Sequence, residues 1–173
     1  MASYYSSITN EQAALIRSAP LFFIATAAPS PDAISDGVGP INLSPKGGVP
    51  LHIIDPNRVA FLNYAGSGNE TERHSLQGSP ITIMICSFEG DDAAIVRLYG
   101  RAQVKPIEES PLAEILLANG AKDLKLSPRQ AVEIEVEKTS TSCGYGVPVM
   151  DFVRERRTCD HGQRYKRQKQ EYK

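Results

Sequence analysis

The sequence predicts a mainly β protein, a closed or half-closed β-barrel with short flanking helices. About six or seven short segments rich in apolar and β-branched residues follow one another at short spacing, and only a few short segments have helical character. The chain has 173 residues, of which 41% are hydrophobic. This is enough for one domain with its own core, so intrinsic disorder is excluded for most of the chain.

The charge balance and the cysteines narrow the class of protein further. The formal net charge is −1, which argues against a whole-protein nucleic-acid binder, and no apolar run approaches the ~18 residues of a membrane span. The three cysteines, Cys86, Cys143 and Cys159, form no CxxC pair. We therefore expect reduced thiols in a cytoplasmic protein, without a disulfide framework or a metal site.

The first predicted element is a helix over residues 10–18. Thr9 and Gln12 have the spacing of a capping box, in which each side chain bonds the other residue's backbone N–H. Pro20 ends the pattern, because proline cannot continue a helix.

Strands are predicted where apolar, aromatic or β-branched residues run between Gly, Pro, Asn or Asp turn signals. They cover residues 21–27, 38–44, 51–54, 58–64, 81–88, 94–104 and 131–137. The second strand is interrupted by Pro40 and is followed by a turn at 45–48. In the strand 94–104, one face carries Ile95, Arg97, Tyr99 and Arg101, and the other carries Val96, Leu98 and Ala102.

Two further helices are predicted in the middle of the chain. One begins after Asn69 and runs to about residue 77, with Gly78 at its end. The other covers 108–118 and is capped by Gly120.

The C-terminal segment differs in composition from the rest. Residues 151–173 contain eight basic and four acidic residues and no apolar stripe. We therefore expect one domain over 1–150, followed by a charged segment that is mobile from about residue 158 onward.

Residues 40–48 form the first segment that could carry chemistry. They place the amide of Asn42, the hydroxyl of Ser44 and the ammonium of Lys46 on a strand that ends in a glycine turn. Such a set can hold a phosphate, although it also fits a plain polar strand end.

Residues 66–74 form the second such segment. Glycines lead directly into a helix N-terminus, where unpaired amides and the helix dipole favour an anion. Thr71, Arg73 and His74 add side-chain donors. The alternative is a capped surface helix whose own two glutamates already complement the dipole.

The remaining candidate functional residues are a tyrosine and three histidines, and their sequence patterns are less specific. Tyr145 lies between two glycines in the segment 142–148, for which a loop is predicted. His52, His74 and His161 show no metal-ligand spacing. No side chain stands out as an acid or base, and the catalytic residues stay unassigned, with Tyr145 and His74 as candidates.

The order of four segments resembles the pyridoxamine 5′-phosphate oxidase-like family, whose fold is the FMN-binding split barrel. The segments are 42–47, 55–62, 66–71 and 97–102. The resemblance covers about residues 10–150, and the loop 142–148 resembles one uncharacterised branch of that family.

The resemblance implies an FMN site and a homodimer with flavin sites at its interface. In similar proteins the strand carrying Asn42, Leu43 and Ser44 runs beside the flavin ring, and Lys46 at its end reaches the phosphate. The segment around the next helix N-terminus also holds the phosphate. The residues implied there are Ser67, Asn69, Thr71, Arg73 and His74.

The chain departs from the vitamin B6 oxidases of this family in three places. They begin the flavin-phosphate strand with an arginine, where this chain has Pro40 and Ile41. This chain also has no tryptophan and no Arg-Leu-x-Pro run near its C-terminus. The resemblance therefore implies an FMN-dependent oxidoreductase with another small-molecule substrate, and not a true vitamin B6 oxidase.

Three alternatives stay open on the sequence. The first is a flavin-binding protein without catalysis. The second is a haem-binding split barrel, with His52, His74 or His161 as ligand. The third is a deazaflavin-dependent reductase.

Overall fold

A computed structural model describes residues 2–29, 40–66, 69–118 and 127–156. Its strands are β1 (Ser3–Tyr5), β2 (Leu21–Ala27), β3 (Ile41–Gly47), β4 (His52–Asp55), β5 (Arg58–Tyr64), β6 (Pro80–Cys86), β7 (Ala94–Pro106) and β8 (Pro128–Cys143). Its helices are α1 (Asn10–Ser18), α2 (Glu70–Leu76) and α3 (Ala113–Ala118), with a 3-10 turn at Ile107–Glu109. Within these ranges no helix is both long and apolar enough to cross a membrane.

The capping box predicted for α1 is confirmed. The backbone N–H of Gln12 donates to Thr9 Oγ1 over 3.3 Å, and the N–H of Thr9 donates to Gln12 Oε1 over 3.1 Å. The Gln12 side chain also donates to Thr141 Oγ1 and accepts from Thr139 Oγ1, both at 3.0 Å. These bonds fix α1 against β8, while Ile16 packs in the core.

All strands pair antiparallel in one curled sheet with the order β3-β2-β6-β7-β8-β5-β4, and β1 adds to β8. The two ends of this order, β3 and β4, are not paired with each other in the described part of the chain. The sheet nevertheless curls far enough for Lys46 on β3 to reach Asn63 on β5. The predicted mainly β, half-closed barrel is confirmed.

The predicted end of the second strand is wrong. A turn was expected at 45–48, but β3 continues through Pro45, which pairs with Phe23 of β2, and through Lys46. Proline is tolerated here because β3 is an edge strand and needs no second set of hydrogen bonds. β3 ends at Gly47, and the chain turns at Gly48, whose positive φ of 72° suits glycine.

The C-terminal half contains three further differences from the predictions. β1 was not foreseen, and β8 is longer than the predicted 131–137, so Ser142 and Cys143 end a strand rather than begin a loop. The predicted helix over 108–118 divides into the 3-10 turn and α3. The proposed cap Gly120 and the residues from about 158 onward, where mobility is expected, lie outside the described residues.

The alternation of side chains along β2 positions the candidate site. Phe22, Ile24 and Thr26 are buried and face the inside of the curled sheet, whereas the odd-numbered residues face outward. Their register partners on β3 are Lys46, Ser44 and Asn42, respectively. Because opposed residues share a face, these three polar side chains of β3 also point inward.

Candidate phosphate- and cofactor-binding site

A cavity of about 230 Å³ lies between β3, the end of β5 and the start of α2. We call it the inner cavity. It is lined by Asn42, Ser44, Lys46, Asn63, Tyr64, Gly66, Asn69, Glu70 and Thr71. The fold thus brings together five residues that sequence reasoning predicted in two separate segments.

The contribution of β3 follows from its two-residue period. Asn42, Ser44 and Lys46 all line the inner cavity. Leu43 lies between them on the opposite face, where it is 67% exposed, and its side chain does not line the cavity. A contact between Leu43 and a cofactor stays a prediction.

Lys46 supplies a positive charge to the inner cavity. Its Nζ donates to Asn63 Oδ1 over 3.2 Å, and Asn63 Nδ2 in turn donates to Gln130 Oε1 over 3.5 Å. Burial lowers the pKa of the Lys46 ammonium, and the nearby carboxylate of Glu70 partly offsets this. A partly desolvated ammonium interacts more strongly with an anion than an exposed one does.

A buried polar network supports the floor of the inner cavity. Asn42 Nδ2 donates to the hydroxyl oxygens of Thr26 and Thr71, both over 3.3 Å. Thr26 Oγ1 lies 2.8 Å from Nδ1 of His74, which is only 5% exposed. Burial, and secondly the charge of Arg73, lower the pKa of His74 and favour its neutral ring.

The network also sets the direction of the hydrogen bonds. A neutral ring can accept the Thr26 proton at Nδ1, which leaves the Thr26 oxygen to accept from Asn42. Thr71 likewise accepts through its oxygen, so its proton can be donated to a group in the cavity. His74 therefore supports the cavity indirectly, through its hydrogen bond with Thr26, and it is not among the lining residues.

The start of α2 is held by side-chain bonds that differ from a simple cap. Asn69 occupies the N-cap position, but its side chain makes no capping bond. Instead Asn69 Nδ2 donates to the carboxylate of Glu72, which also accepts from Arg129 over 3.2 Å. A hydrogen bond from Gln130 is the largest cause that lowers the pKa of Glu72. These contacts tie α2 to β8.

The remaining predicted residues lie elsewhere. Arg73 forms an ion pair with Glu70, with 3.7 Å between Arg73 NH2 and Glu70 Oε1, and is not part of the lining. Ser67, and Gly68 beside it, lie outside the described residues. Tyr145 is 88% exposed in the turn after β8.

Sequence reasoning missed Asn63, Tyr64 and Glu70 as lining residues. Asn63 shares a face of β5 with the buried Phe61, so a polar residue ending an apolar strand was the available signal. Among the described residues no group of three or more His, Cys, Asp or Glu side chains could hold a metal ion.

The fold and this cavity define a class: an antiparallel split barrel with a polar site at its open edge. Two solved structures share the fold. A Lactobacillus delbrueckii protein, described as a candidate pyridoxamine 5′-phosphate oxidase, has 21% identity and a TM-score of 0.55 over 78% of this chain and 94% of that chain. HupZ from Group A Streptococcus has 20% identity and a TM-score of 0.52 over 76% of this chain and 91% of that chain.

A sequence relative belongs to the family that the sequence motifs resemble. Over 156 residues the chain is 30% identical to the pyridoxamine 5′-phosphate oxidase family protein ustO of Aspergillus flavus. The match covers 88% of this chain but only 59% of that protein, and no family model matches. The resemblance to the pyridoxamine 5′-phosphate oxidase-like family that the sequence motifs indicate is thereby confirmed.

Proposed function

We propose that this protein binds FMN and acts as a flavin-dependent oxidoreductase on a small-molecule substrate. The observation that carries the proposal is the inner cavity, where Lys46 stands among hydroxyl and amide donors from β3 and α2. The family likeness adds the cofactor class. When bound, FMN would supply the hydride or electron transfer, and the protein would supply binding and orientation.

The residues present fit the phosphate end of FMN. Lys46 offers a partly buried positive charge, and Ser44 and Thr71 offer hydroxyl groups beside it. The cavity, at about 230 Å³, is smaller than the ~300–1,000 Å³ of typical ligand pockets. It therefore suits the phosphate and its neighbouring groups, with the rest of the cofactor at the open edge of the sheet.

Arg73 and His74 were predicted as phosphate ligands, but in this proposal each supports another residue of the site. Glu70 lines the same cavity and would repel a phosphate. Its ion pair with Arg73 offsets that repulsion, so Arg73 serves the site through Glu70. His74 serves it by orienting Thr26, which accepts from Asn42.

We further propose that a second copy of the chain covers the outward face of β3. Ile41 and Leu43 are 70% and 67% exposed on this edge strand, directly behind the inner cavity. Exposed apolar residues grouped in this way favour association. Light scattering should show a dimer that Leu43→Asp dissociates and that Tyr145→Asp, a change at another exposed site, leaves intact. A wild-type monomer would contradict the proposal.

Fluorescence titration of the purified protein with FMN and with riboflavin tests the flavin assignment. Charge-assisted bonds to the phosphate should make FMN bind at least about tenfold more tightly than riboflavin. Equal affinities would refute the phosphate site, and a haem Soret band in place of flavin absorbance would refute the cofactor. Anaerobic addition of NADPH should then bleach bound FMN, and a flavin that dithionite bleaches but NADPH and NADH do not would refute a nicotinamide-dependent enzymatic reaction.

A further inference from the structure

A second cavity, of about 360 Å³, lies away from the inner cavity and shares no lining residue with it. It is an open cavity bordered by the end of α1, the start of β2, the end of β6 and four residues that follow β8, namely Met150, Asp151, Phe152 and Glu155. We call it the outer cavity. Leu21 of β2 and Cys86 of β6 form part of its wall, and both alternate with residues that face the inside of the sheet.

The walls of the outer cavity are largely apolar. Leu15, Leu21, Phe88, Met150 and Phe152 all line it. Met150 and Phe152 are nevertheless 55% and 59% exposed, so much of their apolar surface is left uncovered. A backbone bond of 3.1 Å from the N–H of Met150 to the carbonyl of Phe88 holds this segment against the end of β6.

The charged side chains that line the outer cavity are all acidic, although Arg154 lies between two of its lining residues and bonds the backbone carbonyl of Glu155. Its lining includes the carboxylates of Glu89, Asp151 and Glu155, and none of its described lining residues is Lys, Arg or His. Burial raises the pKa of the Cys86 thiol, and the positive charge of Arg97 only partly offsets this, so the thiol stays neutral. An apolar cavity with an anionic rim attracts a cation with an apolar body and repels a phosphate or carboxylate.

We propose that the outer cavity binds a small organic amine, with its apolar, preferably aromatic, body between Phe88, Met150 and Phe152 and its ammonium group at the carboxylate rim. Its volume lies within the range of small-molecule pockets. Aromatic walls add attraction for a cation. This site is independent of the flavin proposal, because the two cavities have opposite charge preferences and separate linings.

Three probes of equal length but different charge test the proposal: 4-phenylbutylamine, 4-phenylbutanol and 4-phenylbutyrate. Calorimetric titration should show that the amine binds about three- to tenfold more tightly than the alcohol, and that the acid binds most weakly. Added salt should weaken binding of the amine and leave the alcohol unchanged. In an NMR titration the shifted amides should include those of Phe88 and Met150. Equal affinity for all three probes, or shifts confined to another region, would overturn the proposal.

Matched variants distinguish the contribution of the carboxylates to binding from that of the apolar wall. The double variant Glu89→Gln/Asp151→Asn should remove the preference for the amine over the alcohol. Glu137→Gln should keep the preference for the amine, because Glu137 pairs with Arg101 elsewhere on the sheet. Phe152→Ala should weaken the binding of the amine and of the alcohol to the same extent. Circular dichroism would check that each variant folds, and loss of preference in Glu137→Gln would overturn the assignment. A dimer that Phe152→Ala dissociates, with no probe bound, would assign this face to a second copy instead.

Discussion

The two faces of strand β2 carry opposite chemistry. Phe22, Ile24 and Thr26 face inward, toward the side on which Lys46 places a positive charge in a polar cavity. Leu21 faces the outer cavity, which is apolar and rimmed by carboxylates. One strand can serve both environments because successive side chains point to opposite sides of a sheet. The comparison teaches that a one-residue shift in the register of β2 would turn its core residues outward and bring Leu21 to the inner side.

The largest expected effect concerns core packing on the inner face. Ile24 is 0% exposed, so Ile24→Ala should lower the free energy of unfolding by about 2–5 kcal/mol. Leu43, on the outward face of β3, is 67% exposed in the single chain, so Leu43→Ala should change the free energy of unfolding of the dissociated chain by less than about 0.5 kcal/mol. Urea unfolding of dilute protein measures both. Equal losses would show that the inward and outward faces are assigned incorrectly.

A smaller effect is expected from the network below the inner cavity. Thr26→Val removes the hydroxyl that bonds His74 and Asn42, which should cost about 1–3 kcal/mol. Thr82→Val, on the outward face of β6, is the matched control and should cost less than about 0.5 kcal/mol. Urea unfolding reports the stability, and FMN titration should show weaker binding in Thr26→Val only. An equal loss of stability in Thr82→Val would show that the hydroxyl of Thr26 has no special role.

The smallest effect is a dependence of stability on pH. The folded-state pKa of His74 lies below its ordinary value of 6.5, because burial and Arg73 disfavour the charged ring, although Glu70 acts in the other direction. The unfolded chain therefore binds more protons as the pH falls below about 6.5. Stability should be complete above that pH and should decline as the pH falls toward the folded-state pKa.

Unfolding curves at about pH 7.5 and about pH 5 test this sign. The decline should be smaller in His74→Gln than in the wild type. His52→Gln should also reduce it, since burial lowers the pKa of His52 as well. A decline unchanged by either substitution would show that neither ring is held neutral by the fold.

Much of the fold could be predicted because local signals agree with it. The capping box, the buried run at 21–27 and the alternation along β7 all correspond to observed elements. β1 gave no such signal, since its three residues are exposed and it only extends the sheet beside β8. The polar end of β8 resembled a loop, because Thr139 and Ser140 are buried polar residues satisfied by distant partners.

The site could be predicted only in part, because some of its contacts join elements that are far apart in the sequence. Asn42, Ser44 and Lys46 could be selected from the sequence because they lie close together along the chain, but a turn was predicted at 45–48, and they share one face because β3 continues through Lys46. The approach of β5 to β3 depends on how the whole sheet curls, and Asn63 was therefore missed. The absence of Arg73 from the cavity lining likewise depends on how α2 is placed against the sheet, whereas its ion pair with Glu70 is local to that helix.

The central claim is that Lys46 makes the inner cavity selective for a phosphate. The most direct test is the ratio of FMN to riboflavin affinity in the wild type, Lys46→Met and Lys138→Met. Lys138 is the control because it lies over the ring of Tyr4, 4.3 Å from its centroid. Lys46→Met should weaken FMN binding about ten- to a hundredfold and leave riboflavin nearly unchanged, and Lys138→Met should change neither. Equal weakening of both flavins by Lys46→Met, or an unchanged ratio, would contradict the account.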